Sequence, residues 1–290
     1  MIYKLSYVNA LGGRIEFSWE SGIIVSEKAG FTENNIEMSL AQGVNQVGAT
    51  LQGQSVQPKD IPVTGVIVRN ARETRKKMIE VISPRVPAKL IFNEMYYLDV
   101  LPRMTPLVGA GRFHADYQFI LSAAYPYWQS MTESMHNLAG FVSTFKFSRL
   151  EGEQLIPLFN ISEPVRFSEV KESLFTDVYN GGTIPIPWTV RFKANAIVDS
   201  PSIVKVTTRE FVRIKKLMAI NEIITVAFTH TGIKITSDRA GVIEDNFNYL
   251  DLESTFFLLD PGVTVIRHDA EQYLSNLDVQ MYTRDTVAGV

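Results

Sequence analysis

The stretch Phe113-His114-Ala115-Asp116-Tyr117-Gln118-Phe119-Ile120-Leu121 decides the fold. Phe113, Ala115, Tyr117, Phe119 and Leu121 stand at every second position, with His114, Asp116 and Gln118 between them. Successive side chains of a strand point to opposite faces, so this period of two predicts a half-buried β-strand. The pattern returns at Ile61, Val63, Gly65 and Ile67, and at Leu277, Val279 and Met281. It returns again at Trp188, Val190, Phe192 and Ala194 opposite Thr189, Arg191 and Lys193. Residues 89–101 and 223–228 hold more continuous apolar runs, as strands covered on both faces or inside a sandwich do. Gly12-Gly13, Asn180-Gly181-Gly182, Thr231-Gly232 and Pro261-Gly262 break the runs with turn chemistry. Many short strands so punctuated predict a mainly β protein of sandwich or barrel architecture.

One segment has a different period. In 70–83, Asn70 can cap, Arg72, Lys76 and Glu80 are spaced at i, i+4, and Met78, Ile79 and Ile82 make an apolar stripe before Pro84. A single helix of about three turns is expected there. Seven basic residues (Arg69, Arg72, Arg75, Lys76, Lys77, Arg85 and Lys89) face only Glu73 and Glu80, a local charge of +5. This is a solvated helix face or an interface for an acidic partner. Residues 33–60 are poor in apolar side chains and carry glutamine at 42, 46, 52, 54 and 57. A segment of that length and composition reads as a projecting hairpin or arm, or as a loose loop. After Tyr125-Pro126-Tyr127-Trp128 the polar stretch 129–137 suggests a boundary between an N-terminal domain, 1–135, and a C-terminal domain, 136–290.

The 290 residues suffice for two domains, each with a core of its own. Hydrophobic residues at 46% and charged residues at 20% fit a globular chain and exclude disordered and collagen-like classes. A net charge of −3 supplies no global field for nucleic acid or an anionic membrane. The absence of cysteine excludes disulfides, thiolate metal sites and thiol nucleophiles. Met1-Ile2-Tyr3-Lys4-Leu5-Ser6 does not open an export signal, and no run approaches the ~20 apolar residues of a membrane span, so synthesis in a cytosol is expected.

Reactive constellations are sparse. Gly43-Val44-Asn45-Gln46-Val47-Gly48-Ala49-Thr50 has the spacing of a phosphate-binding loop, but Ala49 stands where a lysine must reach the phosphates. His114, His136, His230 and His268 are dispersed and form no metal-binding pattern. No G-x-S-x-G turn offers a serine nucleophile. Asp238, Glu244, Asp245, Asp251 and Glu253 face only Arg239, yet from Asp245 the alternate positions hold Phe247 and Tyr249, so a solvated acidic edge is expected rather than a calcium loop. Asn160-Ile161-Ser162 is a glycosylation triplet without a secretory context. No catalytic, cofactor or metal residue is assigned, and no enzyme activity is expected.

Taken in order, several motifs resemble the distal tail proteins of long-tailed, non-contractile bacteriophages and related prophages. They are Leu5 to Phe17 with Asn9 and Gly12-Gly13, then Gly22-Ile23-Ile24-Val25, then Gln46-Val47-Gly48-Ala49 leading to Asp60-Ile61-Pro62-Val63-Thr64-Gly65-Val66-Ile67. After the helix come Lys89-Leu90-Ile91-Phe92, Tyr96-Tyr97-Leu98-Asp99-Val100 and Ala124-Tyr125-Pro126-Tyr127-Trp128, with Tyr125 in place of the family's aspartate. The second half supplies Tyr179-Asn180-Gly181-Gly182-Thr183-Ile184-Pro185, with Thr183 replacing an acidic residue, and Leu259-Asp260-Pro261-Gly262.

The resemblance implies a structural protein of the virion tail tip. Its N-terminal domain, barrel-like or sandwich-like, would build a ring, usually a hexamer, around a channel through which DNA passes without specific binding. Its C-terminal domain would be a sandwich similar to galectins or carbohydrate-binding modules. The implied neighbours are the tail tube, the tail-associated lysin or spike, and in some members the tape measure protein and a receptor-binding protein. The arm at 33–60 would reach a neighbouring subunit, and Lys76 and Lys77 would lie away from the channel. The alternative is a lectin-like module for cell-wall glycans, stacking sugars on Trp188, Tyr249 or Tyr273 where these are not core residues. A glycan-cleaving enzyme is a third, weaker reading.

Overall fold

A computed structural model describes residues 4–27, 29–111, 114–139, 141–143, 168–170 and 174–290. Phe113 and the Asn160-Ile161-Ser162 triplet lie outside the described residues. The chain divides into two units: Met1–Glu133 with Gly181–Ile184 and Arg284–Val290, and Ser134–Asn180 with Pro185–Thr283.

The first unit holds β1 (Leu5–Asn9), β2 (Arg14–Phe17), β3 (Ile23–Glu27), β4 (Ile36–Ala41), β5 (Thr50–Val56) and β6 (Lys59–Ile67). Helix α1 (Ala71–Val81) follows, then β7 (Ala88–Phe92), β8 (Tyr96–Val108), β9 (Ala115–Ala123) and β10 (Trp128–Ser130). One antiparallel sheet runs β2-β1-β7-β8-β9-β6-β3, with β10 added beside β8. Its two end strands, β2 and β3, come close to each other, so the sheet curls into a nearly closed barrel.

The centre of this unit is the pairing of β6 with β9. Ile61 stands opposite Leu121, Val63 opposite Phe119 and Gly65 opposite Tyr117. The apolar members of these pairs are buried, while Asp116 and Gln118 face solvent, so alternation alone sorts β9 into two faces. Burial of each large side chain contributes about 1.5–3 kcal/mol. Gly65 is required by space rather than by a turn. The Tyr117 hydroxyl donates to the Ile24 carbonyl on β3 at 3.1 Å, and a Cβ on Gly65 would collide with both groups. Burial pushes the Tyr117 phenol well above its usual range.

Two details of the helix depart from its sequence. Asn70 adopts a left-handed conformation and makes no side-chain cap, and Ile79 is exposed. The buried set is Ala71, Met78, Val81 and Ile82, because positions 71, 78 and 82 fall on one face of a 3.6-residue period. The helix end is tied instead by Asn9. Its Nδ2 donates to the Val81 carbonyl at 2.9 Å, and its Oδ1 accepts the Leu11 and Gly13 N–H groups at 3.1 and 2.7 Å. Asn9 therefore satisfies an orphan helix carbonyl and shapes the β1–β2 turn at once.

The second unit begins with β11 (Ser134–Ala139), β12 (Phe141–Ser143), β13 (Ser168–Val170), β14 (Phe175–Asn180), β15 (Trp188–Ala194) and β16 (Val198–Lys205). Then come β17 (Phe211–Arg213), β18 (Leu217–Met218), β19 (Ile223–Thr229), β20 (Gly232–Arg239), β21 (Val242–Asp245), β22 (Gly262–Gln272) and β23 (Leu277–Thr283). A six-stranded sheet, β11-β23-β15-β19-β20-β21, and a five-stranded sheet, β14-β22-β16-β17 with β18 beside β16, share one core. Val190, Phe192, Val226 and Val279 from the first sheet and Val178, Ile203, Val212 and Ile266 from the second meet in it, so the unit is a β-sandwich. The apolar run at 223–228 is not covered on both faces: Ile224 and Val226 are buried and the residues between them are only half-buried.

Gly65→Ala is expected to destabilise the first unit by about 1–3 kcal/mol, the cost of overpacking against fixed backbone. Tyr117→Phe removes only a hydrogen bond, worth about 0.5–1.5 kcal/mol. Urea midpoints of the two variants check the order.

Candidate assembly interface

Within the segment 33–60, β4 and β5 form an antiparallel hairpin that pairs with no other strand among the described residues. Ile36 stands opposite Val56, Met38 opposite Gln54 and Leu40 opposite Leu51. Directly opposed residues share a face, so Ile36, Met38, Leu40, Leu51 and Val56 make one mainly apolar face that also carries Gln54, and Glu37, Ser39 and Ser55 lie on the other. A register shift between Ser39 and Leu40 makes this possible. The bulge at Gln52 brings Leu51 onto the apolar face, where strict alternation would have put a glutamine. All five apolar residues are exposed.

The tip of the hairpin is braced. The Gln46 side chain accepts the Gly43 N–H at 2.9 Å and donates to Thr50 Oγ1 at 3.1 Å, while the Gln42 side chain donates to the Gln46 carbonyl at 3.2 Å. The phosphate-loop spacing of 43–50 is thus a hairpin tip, and Gln46 within it and Gln42 before it are structural. Val44 and Val47 are held out fully exposed.

The base of the hairpin is held at both ends. Gln57 N–H donates to the Asn35 carbonyl at 2.8 Å. Lys59, the first residue of β6, is buried and its Nζ makes no hydrogen bond among the described residues. Burial lowers its pKa, and the Glu33 carboxylate works in the opposite direction. A last strand, β24 (Thr286–Val287), pairs with β10. The segment it belongs to runs beside the residues that lead into β4. Asn34 Nδ2 donates to the Ala288 carbonyl at 2.8 Å and Val290 N–H to the Phe31 carbonyl at 3.3 Å. A Cβ on Gly289 would come within 2.7 Å of the Thr32 backbone. The same Phe31 carbonyl accepts Trp128 Nε1–H at 3.0 Å, with the two rings stacked at 5.6 Å. Thr183, the substitution in the asparagine-glycine motif, uses its hydroxyl to accept the Ala288 N–H at 3.0 Å. Residues 284–290 thus strap the arm's root to the barrel, a contact that nothing in the composition announces.

The remaining sequence candidates do not converge. Trp188 is buried, donates to the Phe257 carbonyl at 2.8 Å and packs against Phe228, Phe256 and Phe257, so it is a core residue and no sugar platform. Tyr249 and Tyr273 are exposed, each at a short 3-10 turn. Arg72, Arg75, Lys76 and Lys77 are exposed and form no ion pair among the described residues. Among the described residues no three acidic or histidine side chains gather as a metal site. The acidic stretch is divided: Glu244 and Asp245 lie on the exposed strand β21, whereas Asp251 is buried against Lys215 at 2.9 Å and Arg213 at 3.7 Å. The Lys215 ammonium first, then the Glu253 N–H, holds the Asp251 carboxyl below the usual carboxylate range.

The first unit is barrel-like and projects an apolar-faced arm, and the second is a β-sandwich. Residues 181–280 match the family model described as siphovirus-type tail component, C-terminal domain. No curated protein sequence matches the chain. Among solved structures it is similar to SPP1 Dit (gp 19.1), described as a paradigm of the hub adsorption apparatus in Gram-positive infecting phages. The identity is 13% and the TM-score 0.64, over 97% of this chain and 98% of that one. It is also similar to a chain of the phage P2 baseplate in its activated conformation with Ca, at 11% identity and a TM-score of 0.53, over 100% of both chains. At such identities the likeness is one of fold. No helix among the described residues is long and apolar enough to cross a membrane.

Two measurements check these contacts. Gly289→Val should raise amide hydrogen exchange at 31–35 and along β4 and β5 by about tenfold or more while leaving the second unit's protection unchanged. Asp251 titrates below its ordinary pKa of 3.8 in the folded chain, so its contribution is full above that value and is lost as pH falls through the folded one. Asp251→Asn should therefore unfold at lower urea than the parent at pH 7, with the gap closing as the pH falls below 3.8.

Proposed function

We propose that this chain is a structural distal tail protein of a siphophage or prophage, a virion component that forms a hexameric ring at the tail tip. The ring joins the tail tube to the tail-associated lysin or spike and to the adhesion apparatus, and it leaves a central channel for DNA. The observation that carries this reading is a fold shared with SPP1 Dit over 97% of the chain, within which residues 181–280 match the C-terminal domain of siphovirus-type tail components.

Three features support it. An isolated two-stranded hairpin is at best marginally stable in water, so the bare apolar face of β4 and β5 asks for a partner. The barrel-like sheet ends in two strands that a neighbouring chain can cover. A net charge of −3 provides no dense cationic lining that would retain a passing duplex. The role is one of architecture, and the first unit is the ring-forming part.

Light scattering across a concentration series, with negative-stain images of the same sample, tests the proposal. A species of six chain masses that images as a ring is the expected result. A monomer at every concentration would overturn the ring.

A further inference from the structure

Resting on the ring reading, we infer that neighbouring copies lock by a knob and a slot: Val44 and Val47 at the hairpin tip of one copy enter the apolar seam between β2 and β3 of the next. The slot is a cavity of about 160 Å³ at the place where the barrel fails to close. Phe17, Ile23, Phe31 and Phe92 line it, and Trp19, 67% exposed, forms its lip. An apolar cavity of about 150 Å³ takes a benzene-sized group, so this one is suited to one or two valine side chains.

The knob is built to match. Val44 and Val47 are the most exposed apolar residues of the arm, and the Gln46 brace fixes the turn that carries them. A preformed loop loses little conformational freedom on docking. Because both valines are fully exposed, the tip does not fill the slot of its own chain. A protruding apolar group complementary to a pocket elsewhere on the same molecule makes a head-to-tail contact, the kind that closes into a ring when the rotation permits. The slot's remaining polar neighbour, Ser18, places no charge in the path of an apolar group. The basic face of α1 offers no such complement, since nothing apolar on the arm corresponds to it.

The chain has no cysteine, so engineered thiols report without background. Copies carrying Val47→Cys are mixed with copies carrying Trp19→Cys and oxidised, and the double variant is oxidised alone. The expected result is a covalent dimer only in the mixture and a ladder of larger species in the double variant. An assembled species by light scattering with neither cross-link overturns the knob and slot and leaves the ring standing. Val47→Cys copies cross-linking among themselves would show tip-to-tip contact and overturn it as well. A strict monomer would bring down the ring reading itself. Val44→Asp with Val47→Asp, both at exposed positions, should raise the concentration needed for assembly by about tenfold or more; unchanged assembly contradicts the inference.

Discussion

The ladder between β6 and β9 is the constraint on which the rest of the first unit depends. β6 is the strand that carries the arm, because the chain passes from Val56 through Gln57 and Pro58 directly into Lys59. Whatever fixes β6 fixes where the hairpin leaves the barrel. Nine consecutive residues of β6 are in register with β9, and the buried alternation on both strands forbids a slip, since a shift by one residue would turn every apolar side chain outward. The Tyr117 hydroxyl extends this lock across Gly65 to β3. Three strands are held by one phenol and one missing Cβ.

A second lock acts on the other root of the arm. Phe31 receives the Trp128 indole and the Val290 amide on one carbonyl, and Asn34 holds Ala288. Residues far apart in the chain thereby converge on the five positions that precede β4. An arm rooted at both ends behaves as a lever of defined direction, whereas a tether with one soft root would sample many directions and lose entropy on docking. The brace at Gln46 continues the same economy to the tip.

The barrel and sandwich were legible because period-two alternation is a local signal, and β6, β9, β15 and β23 carry it plainly. The helix was legible from its charges and from Pro84, but its inner face was not fully so: Ile79 is apolar and still faces solvent, since only the packing decides which side of a short helix is buried. Trp188 shows the converse. A tryptophan on a strand of a sandwich suits a sugar platform or a core equally well until its neighbours are known. The hairpin's apolar face was hidden by averaging. Ile36, Met38 and Leu40 do alternate, but they sit among glutamine, serine and glycine, and the bulge that aligns Leu51 with them leaves no mark in the sequence. The strap was illegible for a different reason: its contacts span some 250 positions, and no local pattern encodes a partner so distant.

These features bear on how stability and assembly are divided. The barrel and the sandwich each bury a continuous core, so each can fold on the free energy of its own packing. The hairpin has no core. Its two strands satisfy each other's backbone groups, yet its apolar side chains stay in water, and at about 25 cal/mol per Å² their burial is free energy that the free chain does not collect. The same is true of the slot at the barrel seam. A chain that leaves both a projecting apolar tip and an apolar slot unfilled keeps that free energy available for contact with another chain. In the proposed ring the tip and the seam would lose their exposed apolar surface on assembly, while the folds that position them do not wait for it.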